Sequence, residues 1–301
     1  MKVAIAGGSG FIGTHLLKDW RKKKHEIIVI SRSCMKVKES FPFAACITWD
    51  ELKSHPERLE GIDVLVNLAG ESINSGRWTE ARKQRILLSR VDTTQKIAAA
   101  VSQLQQKPDV VINGSAIGIY GQSDTARFDE DSKAIADDFL AQVSRQWEAE
   151  ADRIRGVRLV KIRTGLVLGV DGGAFSKMAL PYRMFAGGRV GSGRQWHSWI
   201  HIADYVRLIN FCIENERMEG PVNATAPNPV TNEEFGHALA RKLHRPHWLP
   251  VPGFVMALAL GEMSELLLQG QHVAPKKAVA HGFDFHYAVI DRAIQDLVSK
   301  M

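Results

Sequence analysis

The chain has 301 residues, 45% hydrophobic and 24% charged, a globular balance that excludes extended disorder and allows one large domain or a domain with a smaller lobe. Its net charge of +6 suits an anionic cofactor or substrate. The basic residues are dispersed, with Arg21 to His25 the densest run, so nucleic acid is not the expected partner.

The first element, "MKVAIAGGSGFIG", is hydrophobic but broken by glycines, and reads as a buried strand rather than a secretory leader. Further apolar runs follow: "EIIVIS", "ACITW", "DVLVNLA" and "DVVING". Continuous rather than alternating hydrophobicity marks strands covered on both faces of a parallel sheet. Between them, "FIGTHLLKDWRKKK" and "WTEARKQRILLSRVDTTQKIAAAVSQLQQ" carry apolar residues three and four apart, as helices do. The expected fold class is therefore α/β: a doubly wound parallel sheet of the Rossmann, NAD(P)-binding kind.

A helix near 136–154 and the strand "VRLVKIRTG" extend the array. From about residue 165, "GVDGGAFSKM", "FAGGRVGSGRQW" and "ATAPNPVT" are rich in Gly and Pro and mark loops over a site or a second lobe. Thr231 and Glu234 have capping-box spacing and open a mostly helical remainder. We expect a Rossmann domain over residues 1–225, with substrate loops from about 165, and a smaller C-terminal lobe over 226–301. The longest apolar stretch, 253–261, is about half a bilayer span, so no membrane segment is expected. Cys34, Cys46 and Cys212 show no CxxC spacing and no neighbouring His cluster. Neither a disulfide framework nor a metal site is expected, and a cytoplasmic setting fits.

"GGSGFIG" lies between a strand and a helix. Gly7 serves the turn, Gly10 admits a pyrophosphate, and Gly13 lets the helix pack on the sheet, with phosphates near Ser9, Phe11 and Ile12 at the helix N-terminus. An NAD-selecting chain places an acid at the end of the second strand; here Ser31 and Arg32 stand there, followed by Lys36 and Lys38. A guanidinium holds a 2′-phosphate through charge-assisted bonds, so NADP(H) is the expected cofactor. Leu68, Ala69 and Gly70 of "NLAGE" end the fourth strand and can border the adenosine and ribose; a plain strand exit is the alternative.

These motifs, with "SRVDTT", "GSAIGIYG", "RTGLVLG", "GSGRQWHSWIHIAD" and "GQHVAPKKAVAHGFDF", span nearly the whole chain. The chain resembles an atypical extended short-chain dehydrogenase/reductase, the epimerase family of nucleoside-diphosphate-sugar epimerase type. The resemblance implies NADP contacts at Ser31, Arg32, Leu68, Ala69, Arg85, Arg90 and Val167. For Arg85 and Arg90 a surface role is equally open, because a spacing of five does not put them on one helix face.

Ordinary members of that superfamily use a Tyr-x-x-x-Lys pair, and extended members place a Glu four residues further on. Counting back from Glu148 puts Ser144 at the Lys position and Leu140 at the Tyr position. No other register repairs this: four residues after Tyr120, Tyr182, Tyr205 and Tyr287 stand Asp124, Ala186, Ile209 and Asp291. The catalytic Ser position, four before Tyr120, holds Ala116, with Ser115 beside it. Acid/base catalysis contributes about 10²- to 10⁴-fold, so hydride transfer would be slow unless another donor substitutes. Tyr120 and Ser115 are the catalytic candidates, with Tyr120 otherwise a pocket wall.

Arg194, Gln195 and Trp196 form a loop suited to an anionic or sugar-like substrate, with Trp196 stacking and Arg194 clamping. Glu71 is a further substrate candidate. His201, three before Asp204, reads as structural sooner than as an acid. "LGEMSELLLQGQ" covers the pocket or forms a homodimer face. Two functions stand: an NADP(H)-dependent epimerase-like oxidoreductase with an unusual acid/base group, or a non-catalytic NADP(H)-sensing regulator.

Overall fold

The structure, a computed structural model, describes residues 1–134 and 136–301. Its centre is one parallel sheet of Lys2–Ala6 (β1), Glu26–Ser31 (β2), Ala45–Thr48 (β3), Val64–Asn67 (β4), Val110–Ala116 (β5), Arg158–Thr164 (β6) and Gly220–Ala224 (β7), in the order β7-β6-β5-β4-β1-β2-β3. The six runs read as strands all lie in it, and the doubly wound Rossmann fold is borne out. β7 escaped notice because it begins with Gly220 and Pro221; Pro is tolerated there because β7 is an edge strand.

The principal helices are Phe11–Lys22 (α1), Glu80–Gln103 (α2), Phe139–Ala151 (α3), Phe175–Arg183 (α4), Ile202–Glu214 (α5), Asn232–Leu243 (α6) and Ile290–Ser299 (α7). Successive strand residues go to opposite faces. Val3 and Ile5 meet Leu16, Leu17 and Trp20 of α1 and Leu208 and Ile209 of α5, whereas Ala4 and Ala6 meet Ile97 and Val101 of α2. Both faces are thus dry, which is why the strands read as unbroken apolar runs.

A separate core joins α4, α6 and α7 through Tyr182, Phe235, Leu239, Ile294 and Leu297, and it takes in Leu168, Phe175 and Trp199 from earlier in the chain. α6 opens with the expected capping box: Thr231 Oγ1 accepts from the Glu234 amide and Glu234 Oε2 from the Thr231 amide. No helix among the described residues is long and apolar enough to cross a membrane.

The cysteine expectation is corrected. Cys34 and Cys46 form a disulfide, and only Cys212 is free, buried under the sheet. Cys34 opens the short helix Cys34–Ser40 that follows β2, and Cys46 lies in β3, which pairs with β2; this return joins residues 12 apart, a proximity that no sequence spacing announces. The bridge also removes the cysteine argument for a reducing compartment.

At β1 the order of strands reverses: β2 lies to one side and β4 to the other, and the crevice at their carboxyl ends is the ligand position in such sheets. α1 reaches it because Gly13 has no side chain. A Cβ there would lie 2.3 Å from the Gly7 carbonyl oxygen. Gly13→Ala is therefore expected to push α1 off β1 and to cost about 3 kcal/mol of stability, measured by urea denaturation; an unchanged midpoint would contradict this close packing.

Candidate cofactor crevice and adjoining cavity

Gly7 adopts φ +83°, and a Cβ on it would strike the Leu68 carbonyl carbon at 2.7 Å. The glycine turn therefore sits directly against the "NLAG" exit of β4, joining two motifs about 60 residues apart in sequence. The Gly10 amide donates to the Gly7 carbonyl at 3.0 Å. α1 then begins with no side-chain cap and no acid in its first turn, so its leading N–H groups are open to an anion. Gly169 and Gly172 lie against the Phe11 ring, and His15 reaches Asp171 at 3.0 Å, so this loop folds over the start of α1. Val167, in the short strand before it, is buried and pairs with Ile200.

The β2 exit carries cations with nothing to neutralise them. Ser31 Oγ is engaged with Ser33, while Arg32, Lys36 and Lys38 are exposed and make no ion pair among the described residues. Among the described residues no carboxylate occupies the ribose position. A 2′-phosphate fits these residues and the open α1 terminus receives a pyrophosphate, so the chain's donor set suits NADP(H).

Arg90 on α2 is a second cation facing the crevice. Its Nη1 donates to the carbonyls of Glu71 at 3.0 Å and Ile86 at 2.9 Å, and its guanidinium lies 5.1 Å over the Trp147 ring. No carboxylate pairs with it among the described residues, and burial, against the more distant Glu71 charge, pushes its pKa down to about 10. Gly70 packs on its stem. Arg85 is instead exposed, 3.7 Å from the Glu71 carboxylate.

Beside the crevice is a cavity of about 380 Å³, bordered by Ile12, Leu68 and Arg90 on the cofactor side. Its floor contains Ala116, Leu140 and Ser144, the positions that the sequence resemblance sets against the usual Ser, Tyr and Lys. Ser144 Oγ donates to the Leu140 carbonyl at 2.8 Å, within its own helix. One turn on, Glu148 receives Nε of Arg163 at 2.7 Å, its Nη2 at 2.9 Å and Ser115 Oγ at 2.7 Å. Burial alone would raise the Glu148 pKa; the Arg163 guanidinium overrides it and holds the carboxyl below its usual value.

A family model described as the NAD dependent epimerase/dehydratase family matches residues 3–224. The chain belongs to that family. A domain of unknown function, DUF1731, matches residues 251–297. The chain is 43% identical to the epimerase family protein YfhF of Bacillus subtilis over 99% of its own length and 98% of the relative's. The crystal structure of the human epimerase family protein SDR39U1 (isoform2) with NADPH matches at a TM-score of 0.92 and 35% identity, covering both chains completely. A nucleoside-diphosphate sugar epimerase from Corynebacterium glutamicum matches at 0.80 and 32%, over all of this chain and 58% of that one.

Several sequence-derived site residues lie elsewhere than expected. Tyr120 is buried and does not line the cavity: its ring stacks on Phe128, its hydroxyl donates to Asn223 Oδ1 at 2.8 Å and it accepts from Arg163 Nη1 at 2.8 Å. Burial, despite Arg163, pushes its pKa up to about 12. Ser115 does border the cavity, but its proton is committed to Glu148. Glu71 is ion-paired with Arg82. Gln195 is buried, its Nε2 donating to the carbonyls of Val190 and Leu267 at 2.8 Å, and Arg194 points to solvent; neither lines the cavity. Trp196 does, anchored through Nε1 to the Asp124 carbonyl. His201 is structural, held by Asp296 and stacked on Tyr287.

The far wall is Glu265, Leu266 and Gln269 to Gln271, a stretch that the sequence leaves open between pocket cover and dimer face. These belong to "LGEMSELLLQGQ", which thus covers the pocket. His197 also lines the cavity, fully enclosed, and burial pushes its pKa down to about 4. Between pH 6.5 and about 4 the unfolded chain protonates this ring while the folded chain does not, so stability falls as pH drops through that window. The expected loss at pH 5 is about 2 kcal/mol. His197→Gln should flatten the dependence of the urea midpoint between pH 7 and 5; an equally steep variant would refute the assignment.

Proposed function

We propose that the protein binds NADP(H) in the β1/β4 crevice and transfers hydride between it and a small, largely apolar carbonyl or alcohol substrate in the adjoining cavity. The observation carrying this reading is the 380 Å³ cavity itself, continuous with the crevice through Ile12 and Leu68 and lined mostly by apolar groups. When bound, the nicotinamide supplies or accepts the hydride. The chain's own residues hold the anionic end of the cofactor, exclude water from the reacting end and manage the proton.

A nucleotide-sugar substrate is less well matched. Among the described residues Arg90 is the only Arg or Lys on the cavity wall, and it faces the cofactor side, leaving none of them to meet a substrate diphosphate. The expected sugar-like ligand is accordingly replaced by a smaller carbonyl compound. The NADP preference rests on Arg32 with Lys36 and Lys38, and the solved relative carrying NADPH supports it.

For the proton we assign Glu265 rather than Tyr120. Burial first, then the charges of Asp138 and Glu262, raise the Glu265 pKa, and both Glu265 and Asp138 border the cavity. A carboxyl that retains its proton to higher pH is suited to donate it to a developing alkoxide. The sensing alternative keeps one specific support: Leu140 and Ala116 are apolar, and the Ser144 hydroxyl beside them is committed to the Leu140 carbonyl.

Two measurements decide between these readings. Arg32→Ala should weaken NADPH binding by about 10- to 100-fold, the worth of one or two charge-assisted bonds, and leave NADH binding unchanged; wild-type protein binding NADH as tightly as NADPH would overturn the cofactor assignment. On a panel of small carbonyl compounds followed at the nicotinamide absorbance, Glu265→Gln should lower kcat by roughly 10²-fold or more, while Tyr120→Phe changes kcat only a few-fold. Tight NADPH binding with no turnover on the panel would favour the sensor.

A further inference from the structure

Outside the crevice, three side chains converge at the start of α6. Glu233 and His237 stand one turn apart, and the chain reverses after the helix, where His244 adopts φ 54°, to bring His247 beside them. Nε2 of His237 lies 3.3 Å from Glu233 Oε1, and Nε2 of His247 lies 3.4 Å from the same oxygen. One ligand atom from each residue lies within 4.8 Å of the other two. A tetrahedral ion with ligands at about 2.0–2.1 Å separates those ligands by roughly 3.4 Å. The two imidazole-to-carboxylate spacings match that edge, and the third ligand pair lies within 4.8 Å.

The surroundings are built for it. The His247 side chain is only 7% exposed, yet its Nε2 has no hydrogen-bond partner, and neither has the buried Oε2 of Glu233. Its other nitrogen, Nδ1, lies 2.9 Å from the Tyr182 hydroxyl, which in turn lies 3.5 Å from the Gly188 carbonyl. With the hydroxyl proton directed at that carbonyl, Tyr182 accepts from Nδ1–H and the Nε2 lone pair faces Glu233 and His237. Ligating imidazoles are oriented in this way by an outer partner. Gly236 supplies the room: a Cβ there would lie 2.4 Å from His247 Cε1 and 2.6 Å from the Tyr182 oxygen.

We propose that Glu233, His237 and His247 bind one zinc ion, with water as the fourth ligand and Tyr182 positioning His247. Two imidazoles and a single carboxylate select a borderline transition ion over magnesium or calcium. The ion would fasten α6 to the segment after it and, through neighbouring contacts, to the cavity loop. The Glu233 amide donates to the Gly193 carbonyl, and Asn232 bonds both the Val190 amide and His197.

The test is calorimetric titration of chelator-treated protein with zinc chloride, alongside visible absorption of the cobalt-substituted form. We expect one ion per chain, a tetrahedral cobalt spectrum and a raised thermal midpoint. His237→Ala, half-exposed and so without consequence for the apo fold, should weaken binding by at least about 100-fold, and Tyr182→Phe by about 10- to 100-fold. His55→Ala, remote and exposed, should leave it unchanged. Wild-type protein binding less than one ion, an octahedral cobalt spectrum, or His237→Ala binding as tightly as wild type would each overturn the proposal.

Discussion

The ion pair of Glu148 and Arg163 is the interaction on which the site depends. Both partners are buried, and together with Ser115, Tyr120 and Asn223 they tie α3 to β5, β6 and β7. A buried pair contributes little net stability but costs about 3–5 kcal/mol when one partner is lost, so the arrangement is held firmly. It fixes the rotation of α3 about its axis. Ser144 and Leu140, one and two turns earlier, are therefore presented to the cavity, and Tyr120 is drawn away from it.

The two halves of the site have different electrostatic characters. The crevice side collects positive charge: the open N–H groups of α1, the exposed cations after β2 and the enclosed Arg90. A guanidinium that gives up protons more readily because of its burial is stabilised by any anion reaching it. The cavity side is mostly apolar, with an uncharged His197 and a Glu265 whose carboxyl is pushed above its usual range, first by burial. An anionic cofactor and a weakly polar substrate are thus sorted by environment before any specific contact forms.

The sequence made the sheet legible because every central strand is covered on both sides, leaving unbroken hydrophobic runs between glycine and helix signals. The glycine turn and the missing acid after β2 were equally plain, since both are local. What was hidden depends on the chain's return. Residues 265–271, left open between pocket cover and dimer face, reach the cavity from nearly 70 positions after Trp196, and the Cys34–Cys46 bridge joins the helix after β2 back to β3. Glu233 and His237 display helical spacing, but His247 joins them only because His244 turns the backbone left-handed. Gln195 and Tyr120 looked chemical because of their residue types, whereas their burial and saturated hydrogen bonds make them framework.

The close approach of α1 to β1 at Gly13 implies an asymmetry in how such a chain can diverge. Replacing a cradle glycine disturbs the first helix and strand together, so descendants that keep the fold also keep the phosphate-binding turn. Leu140 and Ser144 border the cavity on one helix face, where a change of side chain meets the cavity rather than a backbone. A lineage of this architecture can therefore abandon one chemistry and drift toward another while its nucleotide-binding ancestry stays preserved in the backbone.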